Sequence, residues 1–175
     1  DAEALEGKDG YFSTFLHKTL DASLFAWGPW ELEENGMLFK KYPSCLGSHS
    51  SIDALYRILK EHPMKLEEVE SLRIGLSPYS FACMQYVLPQ TVLESKFSVS
   101  FPLCRVLQAG ELRVHDFCEE VVLDPQLQTY MARVTTYIPA ALQAQYVHPN
   151  GPCLVEVTCT DGRVFKEPGE LHWST

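Results

Sequence analysis

At 175 residues, with 46% hydrophobic and 21% charged side chains, the chain has the length and composition of one domain with a substantial apolar core. Its formal charge of −9 argues against nucleic acid or an anionic membrane as the main partner, since both select a basic face. No apolar run is long enough to span a bilayer and no stretch reads as a signal peptide, while the opening DAEALEGKDG, without methionine, predicts a processed product or a piece of something longer.

In chain order, Phe12, Phe15, Leu16 and Leu20 recur at helical spacing and predict a short helix over residues 10–20, after which Gly28-Pro29 predicts a loop. Residues 36–42 (GMLFKKY) read as a strand, stopped where Pro43 removes a backbone donor. The clearest helix begins near Ser51. Ser50 is its expected cap and Asp53 the capping-box partner; Ile52, Leu55, Ile58 and Leu59 form its buried stripe, and Pro63 follows its end. Val69, Leu72, Ile74 and Leu76 alternate as a strand. Leu93, Phe97, Phe101, Cys104 and Leu107 share one helical face over residues 90–110, with Gly110 as the stop and Pro102 marking a kink or a late start. Residues 114–122 and 124–134 read as two short helices, the second capped by Asp124 with Pro125 in its first turn. VTTYIP (134–139) is a strand, and 153–167 a hairpin with a two-residue turn at Asp161-Gly162. Helices gathered mid-chain and a hairpin near the end predict an α+β fold, a two-layer α/β sandwich with helices on one face of a mainly antiparallel sheet, in a single domain over residues 1–175.

Cys45, Cys83, Cys104, Cys118, Cys153 and Cys159 form no CxxC pair and no metal-ligand pattern with the histidines, and several lie in apolar runs. They read as reduced thiols of a cytoplasmic protein. No metal or cofactor is expected.

Local positive charge is informative in so acidic a chain, and FKKYPSCLGSHSSIDAL (39–55) gathers Lys40, Lys41 and His49 beside a helix N-terminus, which favours anions. On a strand Lys40 and Lys41 would face opposite ways, so one of them at most reaches that terminus. His49 can move a proton near neutral pH. Such a set suits a carboxylate or phosphate; a solvated lysine pair and a capping turn is the plainer alternative. A second candidate, residues 85–98, holds Tyr86, able to donate to an oxyanion, and Lys96, able to clamp an acid. Both also make sense as an interface aromatic and a snorkelling lysine. Weaker features carry less. His115-Asp116 are adjacent on a helix and do not face each other, GKDG lacks a phosphate-loop context, and the glutamate pairs read as solvated faces. There is no nucleophile elbow.

The pattern Lys-x-Tyr-Pro-x-Cys-x-x-x-His-x-x-Ile-Asp, together with Glu-x-Lys-Phe-Ser, resembles the MmgE/PrpD family, which includes 2-methylcitrate dehydratase, cis-aconitate decarboxylase and iminodisuccinate epimerase. LEGKDGYF, FCEEVVLDPQLQTYMARV and VEVTCTDGRVF fall in the family's order and extend the resemblance over nearly the whole chain. The resemblance implies the smaller α+β domain of such a protein, without the large helical domain that carries most proton-abstracting residues. It further implies that Lys40 binds a substrate carboxylate, with Lys41 beside it, and that His49 and Tyr86 stand at the cleft as catalytic groups. Lys96 becomes a second anion-facing group. Cys45 stands where decarboxylase-like members carry histidine. The implied partners are a di- or tricarboxylate substrate, the helical domain and a second copy in a homodimer. The implied activity is dehydration of a 2-methylcitrate-like acid, inactive in this chain alone, with decarboxylation or epimerisation as alternatives. A non-catalytic binding module is the remaining reading, and an apolar patch near the site would count against it.

Overall fold

The computed structural model describes residues 39–143 and 151–170, together with residues 4, 7, 8 and 10–15. The chain divides into two compact units, Asp1–Leu38 and Phe39–Thr175. In the first, α1 spans Tyr11–Phe15, and the Ser13 hydroxyl donates to the Lys8 carbonyl at 2.7 Å beneath it. The expected continuation to residue 20, the Gly28-Pro29 loop and residues 36–38 lie outside the described residues.

The second unit runs α2 (His49–Glu61), β1 (Val69–Leu76), α3 (Pro78–Cys83), α4 (Val92–Lys96), α5 (Ser100–Ala109), α6 (Glu119–Val122), α7 (Pro125–Met131), β2 (Val134–Tyr137), β3 (Cys153–Cys159) and β4 (Val164–Gly169). The four strands form one open sheet in the order β2-β1-β3-β4. β1 pairs with β2 in parallel and with β3 antiparallel, and β3 pairs antiparallel with β4, so the mixed sheet is mainly antiparallel.

Alternation gives the sheet two unlike faces. Leu72, Ile74 and Leu76 of β1 lie opposite Val157, Val155 and Cys153 of β3, and all six are buried. α2 packs over β3 and β4 and against α5, which in turn meets α7, while α3 packs on β1. The other face is polar. Arg73, Glu156 and Lys166 stand side by side across β1, β3 and β4. Glu156 accepts from Lys166 at 2.6 Å and Arg73 at 3.3 Å, and the Arg73 guanidinium lies 5.0 Å from the Tyr137 ring centroid. The expected α+β sandwich is therefore present.

Several local expectations need correction. Residues 39–42 form no strand. Lys41 and Tyr42, neighbours that a strand would point apart, both reach the same oxygen of Asp53, and the chain must bend to allow it. The capping box also fails. A 3-10 turn, Leu46–Ser48, leads directly into α2, the Ser50 hydroxyl donates instead to the Gly151 carbonyl, and Asp53 is taken by Lys41 and Tyr42.

The long helix over 90–110 is two. Ser98 caps the Phe101 amide at 3.1 Å, and Pro102 occupies the first turn of α5, where no amide donor is required. Leu93 and Phe97 accordingly stay exposed, while Phe101, Cys104 and Leu107 are buried. Residues 114–116 form a 3-10 turn ahead of the short α6. At the hairpin, Cys159 and Arg163 close a three-residue loop, Thr160 to Gly162, with Gly162 left-handed at φ 88°, the residue that such a loop demands.

Candidate functional site

Backbone hydrogen bonds link the segments that carry the candidate residues at the bend before α2. Its framework is hydroxyl-rich. Ser44 and Ser48 share a hydrogen bond at 2.8 Å, and the Ser48 hydroxyl donates to the Cys45 carbonyl at 2.8 Å. The Cys45 amide donates to the Lys96 carbonyl at 2.8 Å, tying the bend to the end of α4. One residue later the Phe97 carbonyl accepts from the Tyr86 amide at 3.5 Å. Two backbone hydrogen bonds thus join the segments carrying Lys40, Cys45 and His49 to Tyr86 and Lys96. Gly47 seats the turn on α3: a β-carbon there would lie 3.3 Å from Met84 Cε and 3.5 Å from Ser80 Cα.

The side chains differ in availability. Lys40 is exposed, and its ammonium makes a long 3.4 Å contact with the Ser44 carbonyl. Lys96 and Tyr86 are exposed as well. Lys41 is paired with Asp53 at 2.6 Å, so a substrate would have to displace that carboxylate to engage it.

His49 is 3% exposed. Its Nε2 lies 3.3 Å from the Ser44 carbonyl, an acceptor only, so that nitrogen carries the proton. Burial, reinforced by the Lys40 charge, lowers its pKa, outweighing the Ser44 carbonyl and Asp53, which favour protonation. The imidazole is therefore neutral at pH 7. Burial and the Asp53 hydrogen bond likewise push the Tyr42 phenol above its ordinary value.

Nine serines are buried, at positions 44, 48, 50, 51, 77, 80, 95, 98 and 100, and of these the sequence marked only Ser50 and Ser51, as a cap and a helix start. Several underlie this corner. Ser77 caps α3, the Ser98 hydroxyl accepts from the Phe101 amide in the first turn of α5, and Ser100 donates to the Val87 carbonyl. Short hydroxyls satisfy backbone groups where helix starts crowd together and larger polar side chains would not fit. Their signal was the density of serine in SCLGSHSS and SKFSVS.

His115-Asp116 forms no dyad. Asp116 is buried and accepts from Arg105 Nε, Arg105 Nη2 and the Arg113 amide. Among the described residues no cluster of three or more His, Cys, Asp or Glu could hold a metal, and no helix is long and apolar enough to cross a membrane. A groove of about 810 Å³ runs between the C-terminal ends of α2 and α5, lined by Tyr56, Leu59, Met64 and Leu107 among others, and includes none of the candidate residues.

Residues 42–171 match the model of the MmgE/PrpD C-terminal domain. The chain belongs to the MmgE/PrpD family. It is also similar to human cis-aconitate decarboxylase, 24% identical over 185 residues, an alignment covering 99% of this chain and 36% of that protein. The chain thus spans little more than a third of that relative's length. The MmgE/PrpD match takes in His49, Tyr86 and Lys96, while Lys40 lies two residues before it. All six cysteines of this MmgE/PrpD domain are free.

Proposed function

We propose that this MmgE/PrpD domain is the carboxylate-binding half of a cofactor-independent lyase acting on di- or tricarboxylates, with a helical domain supplying the proton-abstracting base. One observation carries the reading: two exposed ammonium groups, Lys40 and Lys96, belong to segments joined by the Cys45–Lys96 backbone hydrogen bond, beside a covered neutral histidine. Elimination next to a carboxylate requires that carboxylate to be pinned, so that the adjacent C–H can lose its proton. Lys40 and Lys96 supply the charge and Tyr86 a hydroxyl donor. His49, neutral beneath the bend, is the candidate proton carrier on this side.

The surroundings support a half-site. Six of the eleven large exposed hydrophobic side chains among the described residues, Tyr79, Phe81, Tyr86, Leu88, Leu93 and Phe97, fall in the segment that carries Tyr86 and Lys96. An apolar border around charged groups is what a domain meant to be covered would show, and it counts against an independent binding module. Dehydration of a 2-methylcitrate-like acid is the leading reaction. Decarboxylation is the second, favoured by the likeness to a protein named cis-aconitate decarboxylase, although Cys45 occupies the position expected to hold histidine in that branch. Free thiols at all six cysteines support a cytoplasmic setting, and a homodimer is the assembly expected of the family.

The test is a titration of the isotopically labelled chain with citrate and with cis-aconitate, followed by amide shifts. Saturable shifts at Lys40, Cys45, His49 and Lys96 are expected, with Lys40→Ala and Lys96→Ala each weakening binding about five- to tenfold (~1–1.4 kcal/mol). Absence of any saturable shift refutes carboxylate binding. Robust turnover of either 2-methylcitrate or cis-aconitate by the chain alone refutes the need for a second half.

A further inference from the structure

Asp53 takes a place that its position in the sequence did not announce. Its Oδ1 accepts from Tyr42 OH and from Lys41 Nζ, each at 2.6 Å. The Tyr42 ring meets the His49 imidazole edge to face, centroids 5.2 Å apart at 76°, and stacks with Tyr56 at 6.2 Å and 20°. His49, Asp53 and Tyr56 recur at i, i+4 and i+7 along α2, one stripe of the helix, and Tyr42 touches all three. Tyr42 is 6% exposed and His49 3%, so neither ring has room to turn.

We infer that Asp53 and Tyr42 are positioning residues for His49: the carboxylate holds the tyrosine hydroxyl, the tyrosine ring sets the imidazole plane, and Nε2–H is thereby aimed at the Ser44 carbonyl. The inference deepens the carboxylate reading and rests on it for its purpose. A histidine that must stay neutral beside lysines has to have its plane and tautomer set before substrate arrives. Two charged groups act on the imidazole: Lys40 opposes its protonation and Asp53 favours it. Lys41 moderates Asp53 by pairing with the same oxygen.

Proton NMR of the His49 ring across pH, in the full chain, tests this. Asp53→Asn removes the only one of those charges that favours imidazolium, so the His49 midpoint moves to lower pH. Tyr42→Phe keeps the ring and loses its anchor, so the His49 ring protons lose part of the shift that the fixed aromatic neighbour imposes. Lys41→Met, at a side chain 67% exposed, leaves the core intact and moves the midpoint the other way, to higher pH. The inference is overturned when folded Asp53→Asn and Tyr42→Phe proteins leave His49 unchanged in both midpoint and ring shift. Should either variant unfold, a Lys41→Met midpoint that is unmoved or lowered overturns it equally. Citrate separates the two claims: if citrate leaves the Lys40 and His49 amides unmoved while the substitutions still displace His49, the carboxylate reading falls and the positioning pair stands.

Discussion

Gly169→Ala tests the joint between the sheet and the candidate site. A β-carbon at Gly169 would lie 2.3 Å from Cys153 Sγ, 2.4 Å from the Ser50 carbonyl oxygen and 2.9 Å from the Ser50 carbonyl carbon. The sulfur belongs to a side chain, but the Ser50 carbonyl is backbone in the first turn of α2, directly after His49. Restoring an ordinary contact moves that turn about 1 Å away from the sheet. Overpacking of this kind costs about 1–3 kcal/mol, and a backbone obstacle places it near the top of the range. Gly169 has no positive φ, so the smaller entropy of unfolded alanine returns about 0.4–1 kcal/mol, leaving a net loss of about 2 kcal/mol. With a urea slope of roughly 2 kcal/mol per molar, the unfolding midpoint falls by about 1 M, and Tm by about 4–8 °C. A midpoint within about 0.2 M of the parent refutes the reasoning. The cycle with Cys153→Ala sharpens it: deleting the sulfur leaves the carbonyl clash, so complete rescue would show that the backbone was not the obstacle.

Three further outcomes are expected. Asp116→Ala, which deprives Arg105 of its bidentate partner and the Arg113 amide of its acceptor, lowers stability in urea by about 2–3 kcal/mol, less than for a fully buried pair because Arg105 retains some contact with water. The hydrogen bond from Lys166, with Arg73 beside it, holds the Glu156 carboxyl below the usual glutamate range. The stabilisation is therefore complete above about pH 4.3 and is lost as pH falls through the depressed native value, so the gap between the parent and Glu156→Gln in urea closes on acidification. A charged thiol reagent at pH 8 modifies the half-buried Cys45, Cys83 and Cys118 in the folded chain and spares the buried Cys104, Cys153 and Cys159, with Cys104 pushed up to about 12 by burial; all six react in urea.

What the sequence made legible was local. The α2 stripe of Ile52, Leu55 and Ile58, the alternation in β1 and the Asp-Gly hairpin all follow from periods of 3.6 and 2 that neighbouring residues carry among themselves. The bend at 39–45 was illegible because its cause, Asp53, lies a full turn inside the next helix. The parallel placement of β2 beside β1 likewise depends on partners some sixty residues apart, such as Leu72 and Val134. Within the candidate site, motif spacing pointed to Lys40, His49, Tyr86 and Lys96, the groups that bear charge or protons. Tyr42 and most of the buried serines escaped because their work is to hold other groups, which shows only once the chain has folded around them.

The seating of Ser50 on Gly169 also sets a timetable. β1, inside the sheet, finds its antiparallel partner more than seventy residues downstream, and the first turn of α2 rests on the end of β4. Contacts of such long sequence separation slow folding, because loop-closure entropy is lost before they form. At about 5–20 residues per second, synthesis separates the emergence of His49 from that of Gly169 by about 6–24 s. Through that interval the apolar stripe of α2 has no strand hairpin to cover it, so the nascent chain needs protection from premature association. The candidate corner is thus a late product of folding, completed when the β3–β4 hairpin docks.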